Sequence, residues 1–139
     1  MITDAMTIRL DHTIVPAEDS DTSAKFFAEI FGLKVSRGFF TRVQVNDSLT
    51  LAFTDEPESW GDSGYDPGTR QCHHYAFHIS DAEFNAIFAR VQAKGVPYGS
   101  GPYSHDDGNI YHRRGGRGFY FKDPYGHLLE VMTVPETGG

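Results

Sequence analysis

Phe119-Tyr120-Phe121-Lys122-Asp123-Pro124-Tyr125-Gly126-His127-Leu128-Leu129-Glu130-Val131 reads as a strand, a tight turn and a second strand. Asp-Pro-x-Gly makes the turn: Pro124 presets φ, and Gly126 supplies a conformation that other residues resist. Glu130 is the single charge in the apolar run Leu-Leu-Glu-Val-Met. A carboxylate inside a sheet is costly unless it is paired or binds a metal. On a solvent face or an edge, Glu130 would need no explanation.

Working outward, the strand–turn–strand closes the second of two similar halves. In the first half, Ile8 to Val15 reads as a strand containing His12 and ending at Pro16. Asp19-Ser20-Asp21 offers helix caps, and Ala24, Phe27, Ile30 and Phe31 recur at helical spacing up to Gly32. Three short strands are expected at 35–40, 42–45 and 49–53. In the second half, a strand from Cys72 to Ser80 contains His74. Ser80 with Glu83 forms a capping-box pair, and Phe84, Ile87, Phe88 and Val91 make the apolar face of a helix that Gly95 and Pro97 end. A short strand at 96–99, a mostly looped 99–118 and the quoted pair complete it. Both halves read β-α-β-β-β, an internal duplication. His12 and His74 hold the same place in their first strands. Glu130 corresponds to Leu51 or Ala52, where the first half has no ligand. The expected domain is therefore α+β, with module one at about 7–55, a linker at 56–71 and module two at about 72–134. Together the modules would curve a mixed sheet around one cleft.

The bulk composition narrows the function. The chain has 139 residues, suited to one compact domain, and a net charge of -7. That charge argues against nucleic acid or an anionic membrane as the partner and leaves a small molecule. Cys72 is the sole cysteine, so no intrachain disulfide can form. The N-terminal Met-Ile-Thr-Asp-Ala-Met has neither the basic nor the apolar region of a secretory leader, and a cytoplasmic protein is expected.

Leu-Asp-His12-Thr-Ile, the helix end Phe31-Gly32-Leu33, the restart His74-Tyr-Ala-Phe, and Phe121-Lys122-Asp123-Pro124-Tyr125-Gly126-His127-Leu128-Leu129-Glu130 resemble the vicinal oxygen chelate superfamily. That superfamily includes glyoxalase I, bleomycin- and fosfomycin-resistance proteins and extradiol dioxygenases. The resemblance spans nearly the whole chain and implies paired βαβββ modules. It puts metal ligands on His12, His74 and Glu130. Two imidazoles and a carboxylate leave coordination positions for a substrate that chelates through two oxygens. Of the adjacent His73 and His74, only one can share a face with Glu130, and His74 has the family position. His78 lies on the His74 face and reads as a core residue; His105 and His127 read as surface residues.

Ile110-Tyr111-His112, followed after six residues by Phe119-Tyr120-x-x-Asp123-Pro124-x-Gly126-x-x-x-Glu130, resembles the extradiol dioxygenase signature. Carried over, His112 would donate a hydrogen bond to the substrate and Tyr120 would bond a substrate hydroxyl. The implied function is ring cleavage of a catechol-like substrate at a divalent metal, Fe(II) first, with Zn, Mn or Ni as alternatives. Those dioxygenases usually carry a further active-site histidine before the second ligand, and none lies between His12 and His73. Two alternatives are other metal enzymes: a glyoxalase-like isomerase, which uses a fourth protein ligand in the first module that Leu51 and Ala52 cannot supply, and a thiol transferase of the fosfomycin-resistance type, which keeps the two-His, one-Glu set and would use Arg113, Arg114 and Arg117 against an anion. A third is a non-catalytic binding protein with an aromatic cleft built from residues such as Phe39, Phe40, Trp60, Tyr65, Tyr103 and Tyr111. A homodimer is expected, with the cleft closed within one chain or between two.

Overall fold

The computed structural model describes residues 7–55 and 72–136. The expected linker at 56–71, with Trp60 and Tyr65, lies outside the described residues. Module one comprises β1 (His12–Ala17), α1 (Ser20–Phe31), β2 (Val35–Arg37), β3 (Thr41–Gln44) and β4 (Thr50–Asp55). Module two comprises β5 (His74–His78), α2 (Asp81–Ala93), β6 (Tyr98–Gly99), β7 (Tyr111–Arg113), β8 (Gly116–Lys122) and β9 (Leu128–Met132). They form two mixed sheets, ordered β1-β4-β3-β2 and β5-β9-β8-β6, with β7 also on β8. In each sheet the first strand runs parallel to the last, and the last pairs antiparallel with its predecessor.

The first strand begins later than its apolar pattern suggests. β1 starts at His12 and runs through Pro16, because β1 is a sheet edge and an edge position does not need the missing N–H. Ile8 and Leu10 stand exposed ahead of it. Residues 99–118, expected as loop, contribute β7 and the start of β8. Arg114 and Gly115 turn between them with positive φ of 53° and 77°. The left-handed Arg114 is held by its guanidinium, which donates to the carbonyls of Pro135 and Glu136 at 3.1 and 2.9 Å.

Caps fall where the sequence put them. The Asp19 carboxylate accepts from Thr22 N, Gly32 closes α1 at φ 72°, and Ser80 and Glu83 cap α2 reciprocally. Both helices cover one face of the sheets. Phe27 of α1 packs against Phe53 of its own module and Phe77 of the other, at 6.2 and 5.5 Å between centroids. Phe84 and Phe88 of α2 meet Phe119. One apolar core thus runs through both modules, and the described residues leave the opposite face of each sheet open.

The Asp-Pro-x-Gly turn adds a second connection. One Asp123 carboxylate oxygen accepts the N–H groups of Tyr125, Gly126 and His127 at 2.8–3.0 Å. Burial pushes the Asp123 carboxyl up from its ordinary value, against those bonds. The turn places His127, expected at the surface, fully inside. Its Nε2 lies 2.8 Å from the Pro16 carbonyl, and its Nδ1 accepts from His73 N at 2.9 Å. A polar residue after a turn looks exposed in sequence; here the turn docks onto β1 and closes over it.

Candidate functional site

Alternation along β5, β8 and β9 sends Tyr75, Phe77, Phe119, Phe121, Leu129 and Val131 into the core. His74, Ala76, Tyr120, Glu130 and Met132 take the open face, where they line a cavity of about 300 Å³. Register places Glu130 between Ala76 and Tyr120. Glu130 is 5% exposed, so it is not a solvent-face residue.

His74 Nε2 lies 3.1 Å from Glu130 Oε1. Its other nitrogen, Nδ1, is 2.9 Å from the Leu128 carbonyl, which only accepts. Nδ1 therefore carries a proton and donates to that carbonyl, and Nε2 faces a carboxylate oxygen. Two acceptors so close need a cation between them, either a proton or a metal. Two ligands about 2.1 Å from one ion and at right angles stand about 3.0 Å apart. The pair fits a metal ion, and the Nδ1–carbonyl bond is the usual support behind a ligating histidine.

Two tyrosines cover the carboxylate. Tyr120 stacks beside His74 at 5.8 Å between centroids, with an interplanar angle of 24°. Tyr111 reaches over from β7, and its hydroxyl donates to Glu130 Oε2. Burial first, and then that bond to the carboxylate, push the Tyr111 phenol well above its ordinary value, so it remains a donor. Burial likewise raises Tyr120, opposed by its hydrogen bond with Arg113. The Arg113 guanidinium lies 4.1 Å over the Tyr111 ring. Arg114 and Arg117 also line the cavity, but Arg114 is held by the C-terminal carbonyls and Arg117 by Asn85 at 2.8 Å and the Phe84 ring. His112 alternates to the other face of β7 from Tyr111 and Arg113, and is exposed outside the cavity lining. Tyr120 is thus brought to His74 and Glu130 within the chain; His112 is not. Sequence alone places Tyr111 in the Ile110-Tyr111-His112 stretch and among the aromatic supply, without a role at the site. Its pairing opposite Gly118, a residue without a side chain, was the available signal.

The first module repeats the geometry with other residues. His12 opens β1 as His74 opens β5, and its Nδ1 lies 2.8 Å from Asp11 Oδ2, again leaving Nε2 for a ligand. Ala52 holds the position of Glu130, and Arg42 that of Tyr120. These residues line a separate cavity of about 500 Å³ with Ile14, Phe40 and Thr50. The structure does not bring His12 to His74 and Glu130. Among the described residues no three His, Cys, Asp or Glu side chains converge on a metal position. His73 turns from the open face and stacks on His127. His78, expected in the core, is exposed at the rim of β5, with Nε2 3.2 Å from the Thr133 carbonyl.

Residues 9–131 match the model of the Glyoxalase/Bleomycin resistance protein/Dioxygenase superfamily. Among solved structures, the oxidase ChaP-H2 is 40% identical, with 96% of this chain and all of that one covered and a TM-score of 0.81. The oxidase ChaP-H1 is 38% identical, with 95% and 100% covered and a TM-score of 0.78. A protein described as a probable lactoylglutathione lyase, from Vibrio parahaemolyticus serotype O3:K6 (strain RIMD 2210633), is 27% identical over 89% of each chain. No helix among the described residues is long and apolar enough to cross a membrane.

Proposed function

Because the chain belongs to the Glyoxalase/Bleomycin resistance protein/Dioxygenase superfamily, we propose that it is a metal-dependent oxidative enzyme whose small substrate chelates the metal through two adjacent oxygens. The observation that carries this reading is the His74–Glu130 pair, with an imidazole nitrogen and a carboxylate oxygen 3.1 Å apart on one sheet face. The likeness to two oxidases over nearly the full chain favours oxygen chemistry, including cleavage of a catechol-like ring, over isomerisation. Ala52 at the Glu130 position withholds the fourth protein ligand of a glyoxalase-type isomerase. The engagement of Arg114 and Arg117 elsewhere disfavours a transferase relying on three free cations.

His74 and Glu130 would hold the ion with His12 from a second copy. Among the described residues both β1 and β5 are sheet edges, and exposed Ile8 and Leu10 run on from the β1 edge. Two copies joined along these edges would bring each His12 half-site to the other chain's His74–Glu130 half-site, making the homodimer the active unit. A divalent ion there would act as a Lewis acid toward the substrate oxygens, and as Fe(II) would also activate dioxygen. The protein's own groups do the rest. Tyr120 bonds a substrate oxygen, and Arg113 steadies the Tyr120 hydroxyl and opposes negative charge growing on the substrate. Ile14, Ala52 and Phe40 give a dry floor for an apolar ring.

Complementation tests this assembly. His12→Ala and His74→Ala proteins should each lose stoichiometric metal and oxygen uptake with a catechol panel. Unfolded and refolded together in equal amounts, they should recover about a quarter of the wild-type sites, since half the dimers are mixed and each mixed dimer has one intact site. No recovery would sink the shared site. Full metal retention by either single variant would sink the ligand assignment. Iron as the native metal would favour the oxidative reading; zinc or nickel would favour the isomerase or transferase.

A further inference from the structure

The Tyr111 ring lies in a slot built for it. It crosses β8 over Gly118, where a Cβ would fall 2.3 Å from both Cζ and the hydroxyl of Tyr111. Arg113 closes the slot, its guanidinium 4.1 Å from the ring centroid. The register puts Tyr111 opposite Gly118, and Gly118 opposite Met132. To reach Glu130 the phenol must therefore run diagonally across β8 to a residue two places along β9, a reach that any side chain at 118 would obstruct. The hydroxyl meets Glu130 Oε2, while Oε1 faces His74. The two carboxylate oxygens thus have different partners on different sides, fixed before any ligand enters.

We infer that Tyr111 is a positioning residue that restricts Glu130 to binding metal through one oxygen, keeping a coordination position open for the second oxygen of the substrate. This rests on the metal-enzyme reading and deepens it. A carboxylate free to rotate can close on an ion through both oxygens, and a two-oxygen substrate must then displace one of them. With Oε2 engaged by the phenol, only Oε1 is presented. The device selects for substrates that chelate with two oxygens, because a ligand with one donor gains nothing from the extra position.

Tyr111→Phe keeps the ring in its slot and deletes the donor. Wild type and variant would be loaded with Co(II), whose visible spectrum reports coordination number, and titrated with 4-nitrocatechol as a two-oxygen chelator and azide as a one-donor ligand. The variant should bind cobalt stoichiometrically and show a higher-coordinate spectrum before chelator is added. Its 4-nitrocatechol affinity should fall about tenfold, with azide changed less, a size typical of losing a partner behind a ligand. An unchanged spectrum with chelator affinity within twofold of wild type would overturn the inference and leave the metal reading standing. A folded variant that loses cobalt would also overturn it, by making the phenol necessary for ligation itself. Wild-type protein that takes up no cobalt would sink the metal reading, and this inference with it. If Tyr111→Phe fails to fold, Tyr111→Leu, which empties the slot, must show the same selective loss of the chelator.

Discussion

The two modules have one plan and unequal chemistry. Their corresponding rows are Ile14–Ala52–Arg42 and Ala76–Glu130–Tyr120. Module two concentrates donors: His74 and Glu130 in contact, two tyrosine hydroxyls and a guanidinium around them. Module one contributes a single imidazole, braced by Asp11, beside an apolar floor. A duplicated fold could place a carboxylate in both halves, and this one does not. On the proposed reading, one half would hold the ion and its hydrogen bonds, and the other would supply the remaining ligand and a surface for the substrate body. Such a division works only if the halves meet, which is why the proposal joins two copies.

The largest effect expected from breaking this asymmetry is at Glu130. Glu130→Ala gives module two the residue that module one has at that position. It should abolish stoichiometric metal after dialysis, read by elemental analysis, while circular dichroism stays that of wild type. Removing the side chain also frees the Tyr111 hydroxyl, so loss is expected even where His74 remains. Retention of a full equivalent would mean that the asymmetry of the two rows has nothing to do with metal.

That prediction turns on a residue the sequence marked clearly, and the contrast with others shows where legibility ends. Glu130 stood out because one charge broke an apolar strand, and His12 and His74 because a duplication aligned them. Helix caps were readable because capping is local: Asp19, Gly32, Ser80 and Glu83 act within a few residues of themselves. Which of Tyr111 and His112 faces the cavity is not legible, because which face of β7 meets the sheet depends on its register against β8, and residues 99–118 are too rich in turn formers to show an alternating pattern. His127 was misplaced for a related reason. Its burial comes from β1, more than a hundred residues away in sequence, and no local pattern reports such a contact.

A second difference between the modules lies at their boundary. His127 precedes β9 as Leu49 precedes β4, and of these two residues it is the histidine that bonds to the other module, through Pro16. His127→Leu makes the positions alike. It leaves the Pro16 carbonyl and the His73 N–H without this partner, at a cost of about 2 kcal/mol. Urea unfolding should show that loss as a lower midpoint with an unchanged slope. A cost under about 0.5 kcal/mol, within what a surface substitution gives, would mean the modules are held by the α1 aromatics and by the bonds of Arg90 to the Ile30 carbonyl and Lys94 to Glu29.

The smallest expected effect compares the helix starts. Asp19 caps α1 with one bond, its Oδ1 accepting from Thr22 N at 3.0 Å. Ser80 and Glu83 cap α2 with two: Ser80 Oγ accepts from Glu83 N at 3.1 Å, and Glu83 Oε1 accepts from Ser80 N at 2.9 Å. Ser80→Ala should cost about 1 kcal/mol at neutral pH. Its pH dependence separates the two halves of the box. Hydrogen bonds from the Ser80 backbone and then the Ser80 side chain lower the Glu83 pKa below its usual 4.5. A carboxyl lowered on folding contributes its share above the unfolded value and loses it as pH falls through the folded one. Ser80→Ala removes the smaller, side-chain part of that lowering and leaves the backbone N–H. The gap between wild type and variant should therefore narrow only partly on acidification, the residue being the neutral hydroxyl–amide bond. Asp19→Ala has no reciprocal carboxylate to release. Chemical unfolding of both variants at neutral pH and near pH 3.5 would read the difference. A Ser80→Ala gap that vanished completely in acid would mean that Glu83 ionisation, rather than the serine hydroxyl, carries the cap.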